Sequence, residues 1–243
     1  MASLVVGLAA VFALNVYAVL LIVLRARVYR VRLYRPMLTN VGLSLLPTVL
    51  AFVLVVGALI LGGVLDRLNQ PTLGPAALWT FLILSTGVWL LFFPNSIYLI
   101  TELNLSHRRK GEDVPLWYDI IQTLTLALSG VANALVSLGL IQLFAIVIIA
   151  DPNSDQRLPP AGSWVFAGIV LLLGSLGIYL GRYLRFNSWD VRHPTSMWRK
   201  SRTYFGTSGK LADVLGFVLT HTLLLALLYA PLVLGAYQLL LAR

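Results

Sequence analysis

The chain has 243 residues, of which 59% are hydrophobic and only 11% are charged, and its mean hydropathy is +0.87. Water-soluble domains carry about a quarter charged residues, so this composition excludes a soluble protein and predicts a single transmembrane domain over residues 1–243. The absence of cysteine excludes disulfides, thiolate metal sites and cysteine nucleophiles. The net charge of +9 lies mainly in loops between apolar runs, so we expect no nucleic-acid partner.

Six apolar runs are each long enough to cross a hydrocarbon core of about 30 Å. They cover approximately residues 3–24, 40–62, 76–93, 120–150, 162–184 and 211–240. No Lys or Arg precedes the first run, so it is predicted to be an anchor rather than a cleavable signal peptide. The predicted fold class is therefore all-α, a polytopic bundle of about six transmembrane helices.

The basic residues are distributed unevenly between the two ends of this predicted bundle. Fifteen of the 18 lie in or beside three alternate loops, 25–39, 94–119 and 185–210, which leaves Arg67, Arg157 and Arg243 for the other side. The positive-inside rule makes the three basic loops cytoplasmic and puts both termini outside. We therefore expect a multi-pass protein of the cell's inner, cytoplasmic membrane.

The third run ends in a polar segment with a regular spacing. Pro94 cannot donate a backbone hydrogen bond, so it should kink or end the helix. Asn95, Tyr98 and Glu102 then share one helical face, while the apolar residues between them, Ile97 among them, line the other. This pattern predicts a short amphipathic segment at the membrane surface, either a helix terminator with an anchor or part of a ligand site.

Two further polar segments, 115–119 and 181–190, are predicted to meet the same cytoplasmic face. Asp119 and Asp190 could pair with Arg182 or Arg185, either as a salt bridge between the fourth and fifth helices or as part of a ligand site. Most aromatic residues of these segments are typical of an interfacial belt. The candidate ligand-binding residues of all three segments are Asn95, Tyr98, Glu102, Trp117, Asp119, Arg182, Arg185, Asn187, Trp189 and Asp190.

Within the membrane, Asn133 belongs to a polar stripe along the fourth run and should face the bundle. His221 in the sixth run could relay protons or act as a packing residue. Gly174 and Gly177 in the fifth run favour close approach of a neighbouring helix. The acidic residues are scattered and no H-E-x-x-H motif occurs, so we expect neither a metal site nor a cofactor.

Three of these segments carry a family resemblance. Residues 92–102, the triplet Trp117-Tyr118-Asp119, and residues 177–190 with Tyr-Leu-Gly-Arg followed by Arg-Phe-Asn-Ser-Trp-Asp resemble the bacterial integral membrane family known as domain of unknown function 1361. The resemblance covers roughly the second to sixth runs. The family's first motif more often reads Pro-Asn-Ala-Pro-Tyr followed by Asp, whereas here Ser96 and Ile97 replace Ala-Pro and Glu102 stands in for the Asp. The resemblance implies no activity.

Three functional hypotheses remain open from the sequence. The first is a carrier or binding protein for a small polar or anionic ligand, such as a lipid headgroup, at a cytoplasm-facing polar pocket. The second is a membrane-embedded enzyme that acts on a lipid-linked substrate with Glu102, Asp119 or Asp190 as general acid or base. The third is a membrane scaffold whose basic loops hold anionic lipid headgroups. No catalytic signature is complete, so the first hypothesis is favoured.

Overall fold

The computed structural model describes residues 2–68, 73–105, 107–109, 111–149, 158–184, 194–207 and 209–241. These residues form seven α-helices and one 3-10 helix and contain no β-strand. The helices are α1 Ala2–Val28, α2 Arg35–Arg67, α3 Leu73–Ile97, the 3-10 helix Tyr98–Asn104, α4 Leu116–Ile149, α5 Ala161–Tyr183, α6 Pro194–Phe205 and α7 Lys210–Leu241.

Six of these segments are long and apolar enough to cross a membrane, which confirms the predicted all-α fold with six spans. Their outer surfaces carry exposed apolar side chains, for example Phe12 (71% exposed), Ile83 (67%) and Leu227 (65%). So large an apolar surface is unfavourable in water and fits contact with lipid. The chain is a multi-pass membrane protein.

The fourth spanning helix, α4, is the centre of the bundle. It packs against α1, α2, α3, α5 and α7, and more than half of its most apolar segment is buried. The main apolar core surrounds its second half, with Leu138, Trp89 and Tyr229 among its buried members. Residues of α4 therefore meet side chains from almost every other element.

The spanning helices alternate in direction, so that the loops collect at two ends. A hydrogen bond from Gln142 to Ser163 joins α4 to α5 at one end, and an ion pair between Arg25 and Asp119 joins α1 to α4 at the other. We call the second one the basic end: α1, the 3-10 helix and α5 end there, and α2, α4 and α7 begin there. The orientation of the basic end toward the cytoplasm stays a prediction.

Pro94 does not end the third helix, contrary to one expectation from the sequence. α3 continues through Pro94 to Ile97 and passes directly into the 3-10 helix. The proline ring lies against the bare backbone of Gly177 on α5, where a Cβ atom would overlap it. The predicted close approach to the α5 glycines is thus confirmed, and Gly174 makes the same kind of contact with Phe93.

The segment that follows Pro94 lies inside the bundle, so the predicted amphipathic surface segment is wrong. Ile97 and Leu99 are fully buried, and Glu102 is 6% exposed. A Cβ atom on Gly130 of α4 would overlap the backbone oxygen of Ser96, so α4 leaves room for this segment to pack closely. The side chains of Ile97 and Leu99 are turned toward protein rather than lipid, whereas Leu103 is 47% exposed. The predicted loop 94–119 is accordingly helical as far as Asn104.

The predicted loop 185–210 contains the short helix α6. Trp198 and Arg199 in its middle are exposed. Tyr204 and Phe205 pack in a small apolar cluster with residues of α5 and α7, and the hydroxyl groups of Tyr204 and Tyr179 are 2.8 Å apart. This helix is amphipathic and rests against the basic end.

Candidate functional site

Asp119 lies in the first turn of α4 and is completely buried. Its Oδ1 accepts a 2.7 Å hydrogen bond from Nε of Arg25, and its Oδ2 accepts a 2.8 Å bond from Nη1 of Arg108. Nε2 of His107 lies 3.4 Å from Oδ1. A carboxylate at this depth requires such charged partners because burial alone would strongly disfavour its ionised form.

Arg25, buried at the end of α1, extends this network to the loop between the 3-10 helix and α4. Its Nη2 donates a 2.8 Å hydrogen bond to Glu112, which also accepts one from the backbone N–H of Arg109. Burial raises the pKa of the Glu112 carboxyl, but these two hydrogen bonds outweigh it and hold the pKa below its usual value. The hydroxyl of Tyr118 donates to the Leu21 carbonyl nearby, so the start of α4 is held against α1.

This arrangement corrects the predicted partners of Asp119. The sequence suggested Arg182 or Arg185 on the fifth helix, whereas the structure supplies Arg25 from α1 and Arg108 from the adjacent loop. Arg182 is half-buried at the end of α5 and is not a partner of Asp119. The other candidates of that segment lie outside the described residues: Arg185, Asn187, Trp189 and Asp190.

The remaining candidates that the structure describes make contacts separate from those of Asp119. Glu102 is buried and accepts a 3.0 Å hydrogen bond from the Asn40 side chain on α2. Asn95 is half-buried in α3, and Tyr98 packs on the edge of the main core. Trp117 is 63% exposed at the start of α4, as expected of a residue in an interfacial aromatic belt.

Asn133 faces the bundle interior, as the sequence predicted. Its side-chain amide exchanges two hydrogen bonds with Asn15 of α1, each 2.9 Å long. It also donates to the hydroxyl of Ser44 on α2 at 3.1 Å, and the Ser44 backbone oxygen accepts a 2.5 Å bond from the hydroxyl of Ser96 on α3. Polar side chains from four spanning segments therefore meet at the level of Asn133.

His221 makes local contacts within α7. Its Nδ1 lies 2.9 Å from the carbonyl oxygen of Phe217, one turn earlier, and its ring stacks on the Phe217 ring at 3.8 Å. These contacts favour the packing role over a proton relay.

A pocket of about 430 Å³ opens at the basic end, between the α1–α2 connection and the loop that follows the 3-10 helix. Each of the two segments that form the pocket begins just after a helix, at a residue with left-handed backbone conformation. These residues are Arg30 (φ 54°) and Leu105 (φ 56°). None of the six candidate ligand-binding residues that the structure describes lines it. The described lining residues are Arg32, Leu33, Tyr34, Arg35, Pro36, His107, Arg109 and Glu112.

The electrostatics of this basic pocket are strongly positive. Arg32, Arg35 and Arg109 are exposed, and none of them forms an ion pair with a carboxylate of the described residues. Glu112, the acidic lining residue, is engaged by Arg25. The first turn of α2, whose N-cap has no side-chain hydrogen bond, adds the positive end of a helix dipole. These arginines appear in the sequence only as loop charges, and nothing in their spacing showed that two distant loops meet.

One comparison with known proteins identified a family. A family model described as "Protein of unknown function (DUF1361)" matches residues 39–228, which is more than half of the chain. The chain belongs to the DUF1361 family. The comparison with curated proteins and the comparison with solved structures each gave no match.

Helix α1 lies outside the part of this DUF1361 chain that the family model covers, yet it completes two buried polar sites inside it. Asp119 takes Arg25 from α1, and Asn133 takes Asn15. The pocket likewise combines Arg32 and its neighbours, which precede the match, with residues 107–112 inside it. The basic end is therefore built jointly from both parts of the chain.

Metal binding finds no support in the described parts of this DUF1361 chain. They contain no group of three or more His, Asp or Glu side chains that could hold a metal ion. Asp119 and Glu112 at the basic end are instead bound to guanidinium groups.

Proposed function

We propose that this membrane protein binds a small anionic ligand in the basic pocket and acts as a binding protein or carrier for it. The observation that carries the proposal is the convergence of Arg32, Arg35 and Arg109 on one pocket without a carboxylate partner among the described residues. Each guanidinium offers a planar fork of donors that matches carboxylate and phosphate oxygens.

The pocket's size and position also support this proposal. Its volume of about 430 Å³ is within the usual range for small-molecule sites. The start of α2 lines it, and helix N-termini favour anions. The basic end is the one that the positive-inside rule assigns to the cytoplasm, so the ligand would enter from that side and from the adjacent headgroup layer.

Binding is favoured over the alternative of acid–base catalysis. A general acid or base must come within hydrogen-bond reach of the reacting proton. Asp119 and Glu102 do not line the pocket, and both already accept hydrogen bonds from neighbouring side chains. Glu112 does line it, but the Arg25 ion pair occupies its carboxylate.

Calorimetric titration of the purified full chain in nanodiscs of zwitterionic lipid tests the proposal. Inorganic phosphate and succinate serve as anionic probes, with glycerol as the neutral probe. We expect saturable binding of at least one anion, weakened about tenfold or more by Arg35→Gln and by Arg109→Gln, because a hydrogen bond to a charged group contributes about 1.5–3 kcal/mol.

Arg27→Gln is the matched control, because Arg27 is an exposed arginine of the same end that does not line the pocket. It should leave the affinity unchanged. Equal losses in Arg27→Gln and in the pocket variants would mean that general surface charge, rather than the pocket, attracts the anion. The absence of saturable binding of either anion would refute the proposal.

Proteoliposomes distinguish a carrier from a binding protein. A carrier should accumulate the bound anion inside the vesicles, and Arg35→Gln should reduce the uptake rate together with affinity. Binding without uptake would mean that the protein is a binding protein rather than a carrier.

A further inference from the structure

His107 is a buried residue that belongs to both the basic pocket and the Asp119 network. It lines the pocket although only 3% of it is exposed. Its Nε2 lies 3.4 Å from Oδ1 of Asp119, whereas its Nδ1 has no hydrogen-bond partner among the described residues. A buried ring nitrogen without a partner is costly, and a ligand in the pocket could supply the missing hydrogen bond.

The surroundings of His107 indicate which nitrogen carries the proton. A carboxylate only accepts hydrogen bonds, so the nitrogen that faces Asp119, Nε2, is the one that donates. A second proton on Nδ1 would place another cation beside Arg25 and Arg108, which hold the same carboxylate. It would also add to the positive charge of the pocket, whose other charged lining residues among those described are Arg32, Arg35, Arg109 and Glu112. In the neutral ring, whose Nε2 donates to Asp119, the orphan Nδ1 is an acceptor.

A hydrogen-bond acceptor, Nδ1 of His107, among the donating arginines sets an unusual requirement for a ligand. The ligand must offer anionic oxygens to the guanidinium groups and one acidic proton to Nδ1. Hydrogen phosphate meets both conditions, with one P–OH group and three further oxygens for three arginines. Sulfate, carboxylates and phosphodiesters lack the proton near neutral pH, and one of their oxygens would face the lone pair of Nδ1.

We propose that the basic pocket selects a phosphoryl group that retains an acidic proton, which the P–OH donates to Nδ1 of His107 while the other oxygens accept from the lining arginines. This inference rests on the proposed anion-binding function. The exposed arginine side chains are long and flexible, so they can turn toward a ligand and open the approach to the buried imidazole. Free phosphate and a lipid phosphomonoester share this chemistry.

Calorimetric titration of the full chain with phosphate and with sulfate at equal ionic strength tests the selectivity without any substitution. We expect phosphate to bind at least about tenfold more tightly than sulfate, because a site with a buried acceptor rejects a ligand that leaves it unmatched. Equal binding of both anions would overturn this inference and leave the proposed function standing. Binding of neither would also overturn this inference, and the titration with succinate would then decide whether the proposed function stands.

His107→Gln assigns the selectivity to the imidazole, because a glutamine amide can still donate to Asp119 at the Nε2 position but has no acceptor in place of Nδ1. We expect phosphate affinity to fall about tenfold and sulfate affinity to stay unchanged. Arg35→Gln should weaken both anions alike. If His107→Gln weakens both anions equally, the role assigned to Nδ1 is wrong.

Competition by lipids identifies the source of the phosphoryl group. At about pH 6, a phosphomonoester headgroup retains its proton in roughly half of the molecules. Nanodiscs that contain phosphatidate should then compete with phosphate if the ligand is a lipid and should not compete if it is free phosphate. Competition by phosphatidylglycerol, a diester without an acidic proton, would count against the inference.

Discussion

The reciprocal hydrogen bonds between Asn15 and Asn133 can be tested by a double-mutant cycle with leucine at each position. Each amide donates to the other at 2.9 Å, which joins α1 to α4 deep in the bundle. Hydrogen bonds between transmembrane helices contribute about 0.6 kcal/mol on average and up to about 1.7. Two of them should therefore couple the residues by about 1–2 kcal/mol.

Each single substitution leaves the other amide only partly satisfied. In Asn15→Leu the Asn133 amide keeps its bond to Ser44, and in Asn133→Leu the Asn15 amide keeps its bond to the Val11 carbonyl. We therefore expect each single variant to lose about 1–2 kcal/mol, toward the lower end of the cost of a buried unsatisfied group. The double variant should lose clearly less than the sum, because leucine at both positions removes the unmatched polar atoms together.

Reversible unfolding in mixed micelles, titrated with a denaturing detergent, measures these free energies. Ala13→Leu on the exposed side of α1 is the control and should change the unfolding free energy by no more than about 0.5 kcal/mol. If the losses of unfolding free energy in the two single variants add up to the loss in the double variant within about 0.3–0.5 kcal/mol, the amides do not interact. That result would also refute the packing of α1 on α4.

Two further predictions concern the α3–α5 contact and the loop at the basic end. Gly177→Ala should lower the unfolding free energy by about 1–3 kcal/mol, because the added Cβ would overlap the Pro94 ring. Gly168→Ala on the same helix is the control and should not lower it, because the space at its Cβ is open. Equal effects of the two substitutions in thermal unfolding would contradict the contact. The lowered pKa of Glu112 means that its pairing with Arg25 stabilises the protein above the usual carboxyl range and that this contribution is lost as the pH falls through the lower folded-state value. The melting temperature of the wild type should therefore exceed that of Glu112→Gln at neutral pH, and this difference should shrink as the pH falls below the usual carboxyl range. A difference that stays constant with pH would argue against the pairing.

A comparison of the predicted and observed contacts of individual residues shows how far the sequence predicts the site. The Asn133 orientation and the glycine contacts of α5 followed from the sequence, because a polar amide is disfavoured in lipid and a bare helix face permits close packing. The partner of Asp119 did not, because Arg25 is 94 residues away and several arginines end up at the same level of the membrane. The shared face of Asn95 and Glu102 was predicted for a continuous α-helix, whereas the chain becomes a 3-10 helix at Tyr98, and their spacing carried no information about whether the segment lies on the surface.

The sequence by itself determined the number of spans, the fold class and the concentration of positive charge in alternate loops. These features are local, because a hydrocarbon core about 30 Å thick requires a continuous apolar run and each run can be recognised without its neighbours. Only the tertiary structure decided that residues 96–104 pack inward, that α1 supplies Arg25 and Asn15, and that Arg32, Arg35, His107 and Arg109 enclose a pocket. These features depend on which helices are adjacent. Adjacency arises from contacts such as that of the Pro94 ring with the Gly177 backbone, and no single segment encodes such a contact by itself.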